Sequence, residues 1–337
     1  MIDWQSDETH LLLNPRMPAD ERARLERLAA QFMLPAHVLL ATSGTTGALK
    51  LTALSKQALL ASAAAVNRHL ESTRDDVWLC VLPAFHVGGL GIYARAHLSG
   101  ARVVTEWAPD VTLVSLVPAQ VSDFVREPRV APQPLRAVVV GGGALDPAVF
   151  DDAIALGWPL HVSYGMTECC SQIATARCCD PELILLDHFE ARVEDDGRLA
   201  FRGASTLTAY ITDDGVIDPK VDGWFVSEDL GSIEGRVLRV RGRVGEFVKI
   251  GGESVDLQRL DRILFEIAGA RAAVVAVPDA RLGHVIHLVV EGDGEFAAAF
   301  NERVLPFERA RAVHRVPSIP RTPLGKLMRA KLLAAIE

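Results

Sequence analysis

The sequence predicts an α/β protein with a large N-terminal domain, a β-rich subdomain and a small α+β C-terminal domain. In the first half, apolar strands alternate with helical patterns; after about Leu185 short strands and turns dominate, and from about Glu246 helices and strands mix again. A chain of 337 residues also exceeds the size at which one hydrophobic core normally keeps growing. We therefore expect more than one compact unit.

The first half of the chain predicts mostly parallel sheets covered by helices. ADERARLERLAAQF has helical periodicity, HVLLAT is typical of a buried strand, and Ser55 is a good N-cap for the helix KQALLASAAAVNRHL. Further apolar strands alternate with helices such as DPAVFDDAIALG; they are VWLCVL, ARVVT, TLVSLV, LRAVVVG and PLHVSY. Such alternation is typical of βαβ units.

The second half predicts two smaller parts. EARVEDDGRLAFRG and GWFVSEDLGSIEGRVLRVRGR indicate a β-rich subdomain at about 186–243. In RGRVGEF two glycines flank charged residues, which favours a domain boundary there. The predicted domains are therefore 1–243 and 246–337.

Composition narrows the classes of partner and location. The chain is 49% hydrophobic and 23% charged, with a formal charge of −8, so no basic stripe favours nucleic acid as the main partner. No apolar run reaches the ~18 residues of a membrane span, and MIDWQSDETH lacks the regions of a signal peptide. We expect no membrane span and a cytoplasmic location.

The five cysteines predict neither a disulfide framework nor a zinc site. Cys80 stands alone, and the other four form the adjacent pairs Cys169-Cys170 and Cys178-Cys179, without C-x-x-C spacing. We interpret them as small core residues.

The stretch TSGTTGALK, residues 42–50, has the composition of a polyphosphate cradle. Gly44 and Gly47 permit close approach of backbone N–H groups, and Lys50 supplies a cation. Hydroxyls come from Ser43, Thr45 and Thr46. It is not a Walker A loop, because Ala48 and Leu49 separate glycine from lysine. A Ser/Thr/Gly turn between a strand and a helix is the alternative interpretation.

Six stretches together carry a family resemblance. They are TSGTTGALK, LPAFHVGGLG, VGGGALD, SYGMTECCSQIAT, GWFVSEDLG with GRVGEFVKIGGE, and PRTPLGKLMR. In this order, over nearly the whole chain, they resemble the acyl-adenylate-forming (AMP-binding) superfamily of ATP-dependent acid-CoA ligases, with a shortened N-terminal region. LPAFHVGG, SLVPAQV and YGMTECCSQIAT are particularly similar to the o-succinylbenzoate-CoA ligases of menaquinone biosynthesis.

The resemblance implies a two-step reaction that uses ATP, Mg²⁺ and coenzyme A. A carboxylic acid attacks the α-phosphate of ATP, and a thiolate then displaces AMP from the acyl-AMP. Catalysis of the first step is mainly positioning and electrostatic stabilisation. The resemblance assigns the β- and γ-phosphates to one loop, whose residues are Thr42, Ser43, Gly44, Thr45, Thr46, Gly47 and Lys50. This loop has Leu49 where the family usually has proline.

The resemblance also assigns the rest of the nucleotide site. Glu168 would hold Mg²⁺ and Thr167 would contact the α-phosphate, whereas Glu168 taken alone is more simply a helix-start carboxylate. Tyr164 would stack on adenine, unless it is a buried core aromatic. The other residues assigned to the nucleotide are Gly142, Gly143, Ala144, Gly165, Asp229 and Arg243. Glycines 142 and 143 also suit a generic strand-to-helix turn, and Arg243 a solvated β surface.

Three residues would act on the acid. Lys326 in PRTPLGK would bridge the attacking carboxylate and the α-phosphate; composition alone would make it a flexible surface charge. His86 would orient the carboxylate at the pocket entrance, although a lone apolar-flanked histidine is usually a core residue. Arg95 would bind a second carboxylate of the substrate, and its alternative is snorkelling to solvent. Ser171 is a further pocket candidate.

The family's small C-terminal domain rotates after adenylation and presents a glycine-rich loop, here around Gly251 and Gly252, to the thioester site. The usual charged pivot is replaced by Gly245, and Glu228 stands where the family usually has glycine. Three alternatives stay open: a ligase for another aryl or acyl acid, a stand-alone adenylation domain that loads a carrier protein, and a catalytically dead nucleotide-binding regulator. A homo-oligomer is compatible with each.

Overall fold

The computed structural model describes residues 2–17, 19–32, 34–43, 49–244, 247–250, 253–279, 282–322 and 327–336. It describes the backbone alone for Ser43, Arg243, Phe247, Lys249, Glu253, Ser254 and Gly283. The chain divides into two compact units. The first is Met1–Ser227 with Gly231–Arg239, and the second is Glu228–Leu230 with Val240–Glu337.

The strands of the first unit begin near the N-terminus and continue to the unit boundary. In chain order they are β1 (His10–Leu12), β2 (His37–Ser43), β3 (Leu49–Ser55), β4 (Val77–Leu79), β5 (Arg102–Val104), β6 (Leu113–Leu116), β7 (Ala137–Val140), β8 (Leu160–Met166), β9 (Ser171–Ala176), β10 (Leu183–Leu185), β11 (Phe189–Val193), β12 (Arg198–Gly203), β13 (Ala209–Thr212), β14 (Gly215–Ile217), β15 (Phe225–Glu234) and β16 (Val237–Arg243).

The helices of the first unit lie between these strands. They are α1 (Ala19–Gln31), α2 (Lys56–Leu70), α3 (Val87–Ser99), α4 (Pro118–Arg126), α5 (Pro147–Ala155) and a 3₁₀ helix (Thr167–Cys169). Ser55 caps α2 as predicted, because its side chain accepts a hydrogen bond from the backbone N–H of Ala58.

Two sheets organise the first unit. The order of the larger sheet is β11-β12-β15-β16-β10-β9-β8-β7-β6-β4-β5, and its β5, β4, β6, β7 and β8 are all parallel neighbours. The predicted parallel sheet and the antiparallel β-rich region that follows it are therefore confirmed, and the α/β class with them. Helices cover the parallel part, where Val114, Val138 and Leu160 are fully buried.

The smaller sheet contains a strand that the sequence did not predict. Its order is β1-β2-β3-β13-β14, and β2 and β3 form an antiparallel pair from His37↔Ser55 to Ser43↔Leu49. The sequence interpretation placed helix α2 after the Gly/Thr loop and missed β3. Residues 42–50 thus connect two strands, so the alternative of a strand-to-helix turn is wrong.

The second unit is an α+β arrangement with one sheet. Its elements are β17 (Phe247–Ile250), β18 (Glu253–Asp256), α6 (Leu257–Ala268), a 3₁₀ helix (Gly269–Arg271), β19 (Ala272–Asp279), β20 (Gly283–Glu291), α7 (Ala297–Glu302), a 3₁₀ helix (Pro306–Glu308), β21 (Ala310–Val316) and α8 (Arg329–Ala334). The sheet order is β18-β17-β20-β19, and β21 pairs with β20. Leucines 260 and 264 of α6 pack on β19 and β20.

The structure bears on two further sequence expectations, the burial of the cysteines and the membrane-spanning potential of the helices. Cys80, Cys169 and Cys170 are buried, whereas Cys178 and Cys179 are exposed, so the interpretation of these two as core residues is wrong. None of the helices in the described part of the chain combines the length and the apolarity that a membrane crossing needs.

Candidate active site

The proposed phosphate loop joins β2 to β3. Gly44, Thr45, Thr46 and Gly47 lie outside the described residues, as do Ala48 and the side chain of Ser43. The flanking side chains are described. Thr42 Oγ1 hydrogen-bonds Thr52 Oγ1 across the strand pair at 2.8 Å, and Lys50 Nζ lies 3.2 Å from the centroid of the Tyr210 ring. Lys50 is thus held over an aromatic face beside the loop.

Tyr210 is a site residue that sequence reasoning missed. It lies on β13, pairs with Thr52 of β3, and donates its hydroxyl to Glu168 Oε1 at 2.9 Å. Lys50, Tyr210 and Glu168 therefore form one contiguous polar group. No local sequence pattern identifies Tyr210 as a site residue, because its position depends on β13 pairing with a strand about 160 residues earlier in the chain.

The carboxylate of Glu168 suits the Mg²⁺ that the resemblance assigns to it. The hydroxyl of Tyr210 occupies Oε1, and Oε2 accepts no hydrogen bond from the described residues. Mg²⁺ is usually bound by one or two carboxylates with substrate phosphates and water. This donor set needs no cluster of ligands, and no group of three or more His, Cys, Asp or Glu side chains within the described ranges is arranged to hold a metal ion.

The turn that carries Glu168 is tightly built. A Cβ at Gly165 would lie 1.7 Å from the carbonyl oxygen of Ser171, so only glycine fits there. Cys170 and Ser171, at the start of β9, have φ of 53° and 98°, values that side chains other than glycine seldom adopt. The backbone of Glu168 is fixed as well, because its carbonyl accepts from Leu207 N–H at 2.7 Å. Such strain is concentrated at functional sites in many proteins.

The proposed adenine residues follow neighbouring parallel strands. Gly142, Gly143 and Ala144 come after β7, and all three are exposed. The half-buried Tyr164 lies near the carboxyl end of β8, with its ring centroid 6.1 Å from that of Phe201. Since β7 and β8 are parallel neighbours, these two segments meet at one edge of the sheet, where α/β proteins bind ligands.

Arg95 is a buried cation without a carboxylate partner among the described residues. Its side chain leaves α3 and is 2% exposed. The guanidinium Nη2 donates to Ser171 Oγ at 3.4 Å, and Cζ lies 5.6 Å from the ring centroid of Trp78. The arginine therefore does not snorkel to solvent; it contacts the turn between β8 and β9.

The local structure holds Arg95 in place. Its backbone carbonyl accepts hydrogen bonds from Asn67 Nδ2 at 2.9 Å and from Ser99 Oγ at 3.0 Å. Gly91, one turn earlier on α3, leaves the guanidinium its space, because a Cβ there would lie 3.2 Å from Nη2. Burial lowers the pKa of Arg95 to about 10, so the side chain is still cationic at neutral pH.

His86 precedes the first turn of the same helix. Its backbone is extended, its side chain makes no capping hydrogen bond, and its ring is 4.7 Å from that of Phe85. Burial lowers the pKa of His86, which favours the neutral imidazole near pH 7. A cavity of about 380 Å³ lies beside the preceding loop; it is lined by Pro83, Ala84 and Phe85 and by residues of β1 and α1.

Thr167 begins the 3₁₀ helix that carries Glu168, and the remaining predicted residues belong to the second unit or lie outside the described residues. Asp229 is half-buried on the part of β15 that is assigned to the second unit, next to Glu228, whose carbonyl accepts from Val244 N–H at 2.6 Å. Lys326, Gly251, Gly252, Gly245 and the side chain of Arg243 lie outside the described residues. Their assigned roles stay predictions.

Comparisons with known proteins match this arrangement. A family model described as AMP-binding enzyme matches residues 35–200. A protein named probable 2-succinylbenzoate–CoA ligase, from Mycobacterium tuberculosis, is 32% identical over 88% of this chain and 83% of its own length.

Solved structures of o-succinylbenzoate coenzyme A synthetase from Bacillus subtilis are also similar. The complex with the acyl-adenylate intermediate OSB-AMP has a TM-score of 0.77 and 25% identity, over 88% of this chain and 68% of that one. The complex with ATP and magnesium ion has the same TM-score and identity, over 88% and 69%.

Proposed function

The chain belongs to the AMP-binding enzyme family, and we propose that it converts o-succinylbenzoate, ATP and coenzyme A into o-succinylbenzoyl-CoA, AMP and pyrophosphate. The relatives named for this acid support the choice of substrate, and the complex of a similar enzyme with OSB-AMP supports the order of steps. The reaction would serve menaquinone biosynthesis.

The buried guanidinium of Arg95 carries the proposal for a dicarboxylic acid. Among the described residues, this 2% exposed cation contacts a hydroxyl and an aromatic ring, and its burial is costly because neither group repays its lost hydration. A second, non-reacting carboxylate of the substrate would supply the missing charge in a water-poor site. An acid with one carboxylate would leave Arg95 unpaired.

The first step needs the reacting carboxylate near the α-phosphate. His86 is the proposed orienting group. Its lowered pKa favours the neutral imidazole, which can hydrogen-bond the carboxylate without forming an ion pair with it. Lys326 is the proposed bridge between the carboxylate and the α-phosphate. His86 would act by position and Lys326 by position and charge, which together are the main source of catalysis in phosphoryl-group chemistry.

The nucleotide would be held by the residues around β2, β7 and β8. Tyr164 would stack on adenine, Thr167 would contact the α-phosphate, and Lys50 with the loop before it would bind the β- and γ-phosphates. Glu168 would hold Mg²⁺, oriented by the hydroxyl of Tyr210. When bound, the ion would neutralise charge on the phosphate oxygens.

The second step brings in coenzyme A. Its thiolate would attack the carbonyl carbon of the acyl-AMP, forming the thioester bond and breaking the bond to AMP. Gly251 and Gly252 are the proposed thioester-site residues, after a rearrangement of the C-terminal domain. Coenzyme A, like the rearrangement, is part of the proposal.

A pyrophosphate-release assay tests the function. The protein is incubated with ATP and Mg²⁺ and with o-succinylbenzoate, benzoate or a medium-chain fatty acid, each with and without coenzyme A, and products are identified by mass. We expect turnover with o-succinylbenzoate and its CoA thioester as product. The matched control is Lys326→Ala, which should bind ATP but form no acyl-AMP. Turnover of another acid but not of o-succinylbenzoate would reject the proposed substrate. ATP binding without turnover of any acid would favour the catalytically dead nucleotide-binding regulator.

A further inference from the structure

The exposed cysteines 178 and 179 place two thiols side by side. Their Sγ atoms are 3.5 Å apart, and both residues lie in the turn that follows β9. The other three cysteines are buried. Among the cysteines of this chain, only this pair offers two neighbouring thiols to a reagent in solution.

The turn fixes the pair in this arrangement. Asp180 N–H donates to the carbonyl of Arg177, so the two cysteines are the central residues of a β-turn. Cys179 N–H donates to the carbonyl of Leu160 at 2.7 Å, and its Sγ lies 3.9 Å from the carbonyl oxygen of Trp158. Cys179 has a φ of 58°, where glycine or asparagine is the ordinary choice.

A direct disulfide is a poor use of this pair. The Cα atoms of consecutive residues are about 3.8 Å apart, whereas disulfides usually join Cα atoms separated by at least about 4.4 Å. An atom placed between the two sulphurs removes this constraint, because it needs the sulphurs near each other but unbonded. Two sulphurs ~2.3 Å from one tetrahedral centre lie roughly 3.8 Å apart, close to the observed separation.

A resident zinc ion does not suit the pair, since a structural zinc site takes four protein ligands. No third His, Cys, Asp or Glu completes such a group in the part of the chain that the structure describes. The remaining candidate is a thiophilic atom of valence three that bonds to two cysteine sulphurs and already carries one organic group.

We propose that Cys178 and Cys179 form a vicinal dithiol site that captures a thiophilic trivalent centre, with organic arsenoxides as the ligand class. Each thiol sulphur forms one bond to arsenic, and the arsenic–oxygen bonds break. The oxygen leaves as water with both thiol protons. Arsenic stays trivalent and no electron is transferred, so the reaction needs no oxidant.

The protonation state of the pair agrees with capture of this kind. Partial loss of hydration at the turn and the hydrogen bond with Cys179 raise the pKa of Cys178 to about 11, although the side chain is exposed. Simple alkylation, which requires a thiolate, is therefore slow at this thiol near neutral pH. An arsenoxide does not require a thiolate, because its departing oxygen accepts the two thiol protons.

The dithiol site is separate from the candidate active site. Cys179 N–H donates to the carbonyl of Leu160 at the start of β8, whereas Tyr164 lies four residues, about 13 Å, along that strand and Glu168 lies beyond its far end. A seven-residue strand spans about 20 Å. Capture at the dithiol does not need ATP, the acid or coenzyme A.

Phenylarsine oxide and intact-protein mass spectrometry test the proposal on the full chain. The expected product is one phenylarsenic group per chain, formed with loss of one water, stable to excess 2-mercaptoethanol and removed by a dithiol such as dithiothreitol. Cys178→Ser and Cys179→Ser should each lower the apparent affinity by roughly 10²-fold, because the second thiol no longer acts at high effective concentration.

The double variant Cys178→Ser with Cys179→Ser is the matched control, because it keeps the three buried cysteines. It should form no adduct that resists 2-mercaptoethanol, while its melting temperature stays that of the unaltered protein. Equal affinity in either single variant, or an adduct that a monothiol reverses, would overturn the proposal. So would the absence of an adduct on the unaltered protein.

Discussion

Two arginines, one in each unit, show different solutions to the same electrostatic problem: Arg95 is buried and Arg329 is half-buried. In the second unit, Arg329 donates to Asp261 and to the carbonyl of Val274 at 2.6 Å, and Asp261 also accepts from Val274 N–H. In the first unit, Arg95 is more deeply buried and contacts a serine hydroxyl and an aromatic ring. Arg329 has its counter-charge in the chain, whereas Arg95 has none among the described residues.

The presence or absence of a carboxylate partner distinguishes a structural charge, Arg329, from a charge that we propose binds a ligand, Arg95. The Arg329–Asp261 pair ties α8 to α6 and β19, and each charge has a partner within the unit, although burial raises the pKa of Asp261. Arg95 lies at the turn of the proposed substrate site, so its missing partner can be supplied by the acid. The comparison therefore predicts opposite consequences when each charge is removed.

The largest effect is expected from Asp261→Ala. Removing Asp261 leaves the half-buried Arg329 without its counter-charge, which should lower the free energy of unfolding by about 3 kcal/mol, the lower end of the cost for a buried pair. Urea denaturation followed by circular dichroism measures it. Asp293→Ala, which removes an exposed carboxylate of the same unit, is the control and should change stability by less than about 0.5 kcal/mol. A similarly small loss of stability in both variants would contradict the assignment of Asp261 as a structural charge.

Asp76 in the first unit should also act as a structural charge, and its contribution to stability should depend on pH. Asp76 is buried, which disfavours its charged form, but hydrogen bonds from Arg136, Thr73 N–H and Thr112 lower its pKa below the ordinary value. Asp76→Asn should cost about 2 kcal/mol at pH 7, as expected for hydrogen bonds to a charged group.

The sign of this pH dependence follows from the lowered pKa. The stabilisation by Asp76 is fully present above the unfolded-state pKa of about 4 and is lost as pH falls through the lower folded-state pKa. Denaturation at pH 7, 5 and 3 should show a constant difference between the two proteins at pH 7 and 5 and a smaller one at pH 3. A difference that grows at pH 3 would contradict the assignment.

Arg95→Met should have a smaller effect on stability, of the opposite sign. Replacing a buried charge that lacks a carboxylate partner by an apolar side chain of similar length should leave stability unchanged or raise it by about 1 kcal/mol. The same denaturation experiment measures it, with Arg68→Met on the neighbouring helix as the exposed control. A loss as large as that of Asp261→Ala would show that Arg95 is a structural charge.

The smallest expected effect measures a single hydrogen bond to the Glu168 carboxylate in the candidate active site. Tyr210→Phe removes the hydroxyl that contacts Glu168 and keeps the ring beneath Lys50. A loss of about 1 kcal/mol would weaken the apparent affinity for Mg²⁺ about fivefold, as measured by magnesium titration of pyrophosphate release at saturating ATP. Tyr93→Phe, which removes a tyrosine hydroxyl that hydrogen-bonds Cys80 and has no assigned role in the site, is the control and should leave the magnesium dependence unchanged. An unchanged magnesium dependence of Tyr210→Phe would remove its assigned role in orienting Glu168.

Local patterns predicted the part of the fold that is built from local signals. The periodicity of α1, the cap of α2 and the apolar runs of β4 to β8 each depend on neighbouring residues. Strand β3 was missed although it pairs with β2, its neighbour in the chain; its second pairing, with β13, joins distant parts of the chain and has no local signal. The exposure of Cys178 and Cys179 was missed for a related reason, since the composition of the segment does not reveal that the chain leaves the sheet there.

The candidate site divides in the same way. Motifs identified Glu168 and Arg95 as candidates, but the contact of Tyr210 with Glu168 and the lack of a carboxylate near Arg95 are properties of the folded chain. The tight approach of Gly165 to Ser171 likewise gives that glycine a structural reason that its motif did not contain.

The central claim is that Arg95 is kept for the second carboxylate of the acid. The most direct test compares kcat/KM for o-succinylbenzoate and for an analogue without the non-reacting carboxylate, in the unaltered protein and in Arg95→Ala. The account predicts roughly a 100-fold preference for the diacid that disappears in the variant, with the analogue's value unchanged. An equal fall for both acids, or a preference that survives in Arg95→Ala, would contradict it.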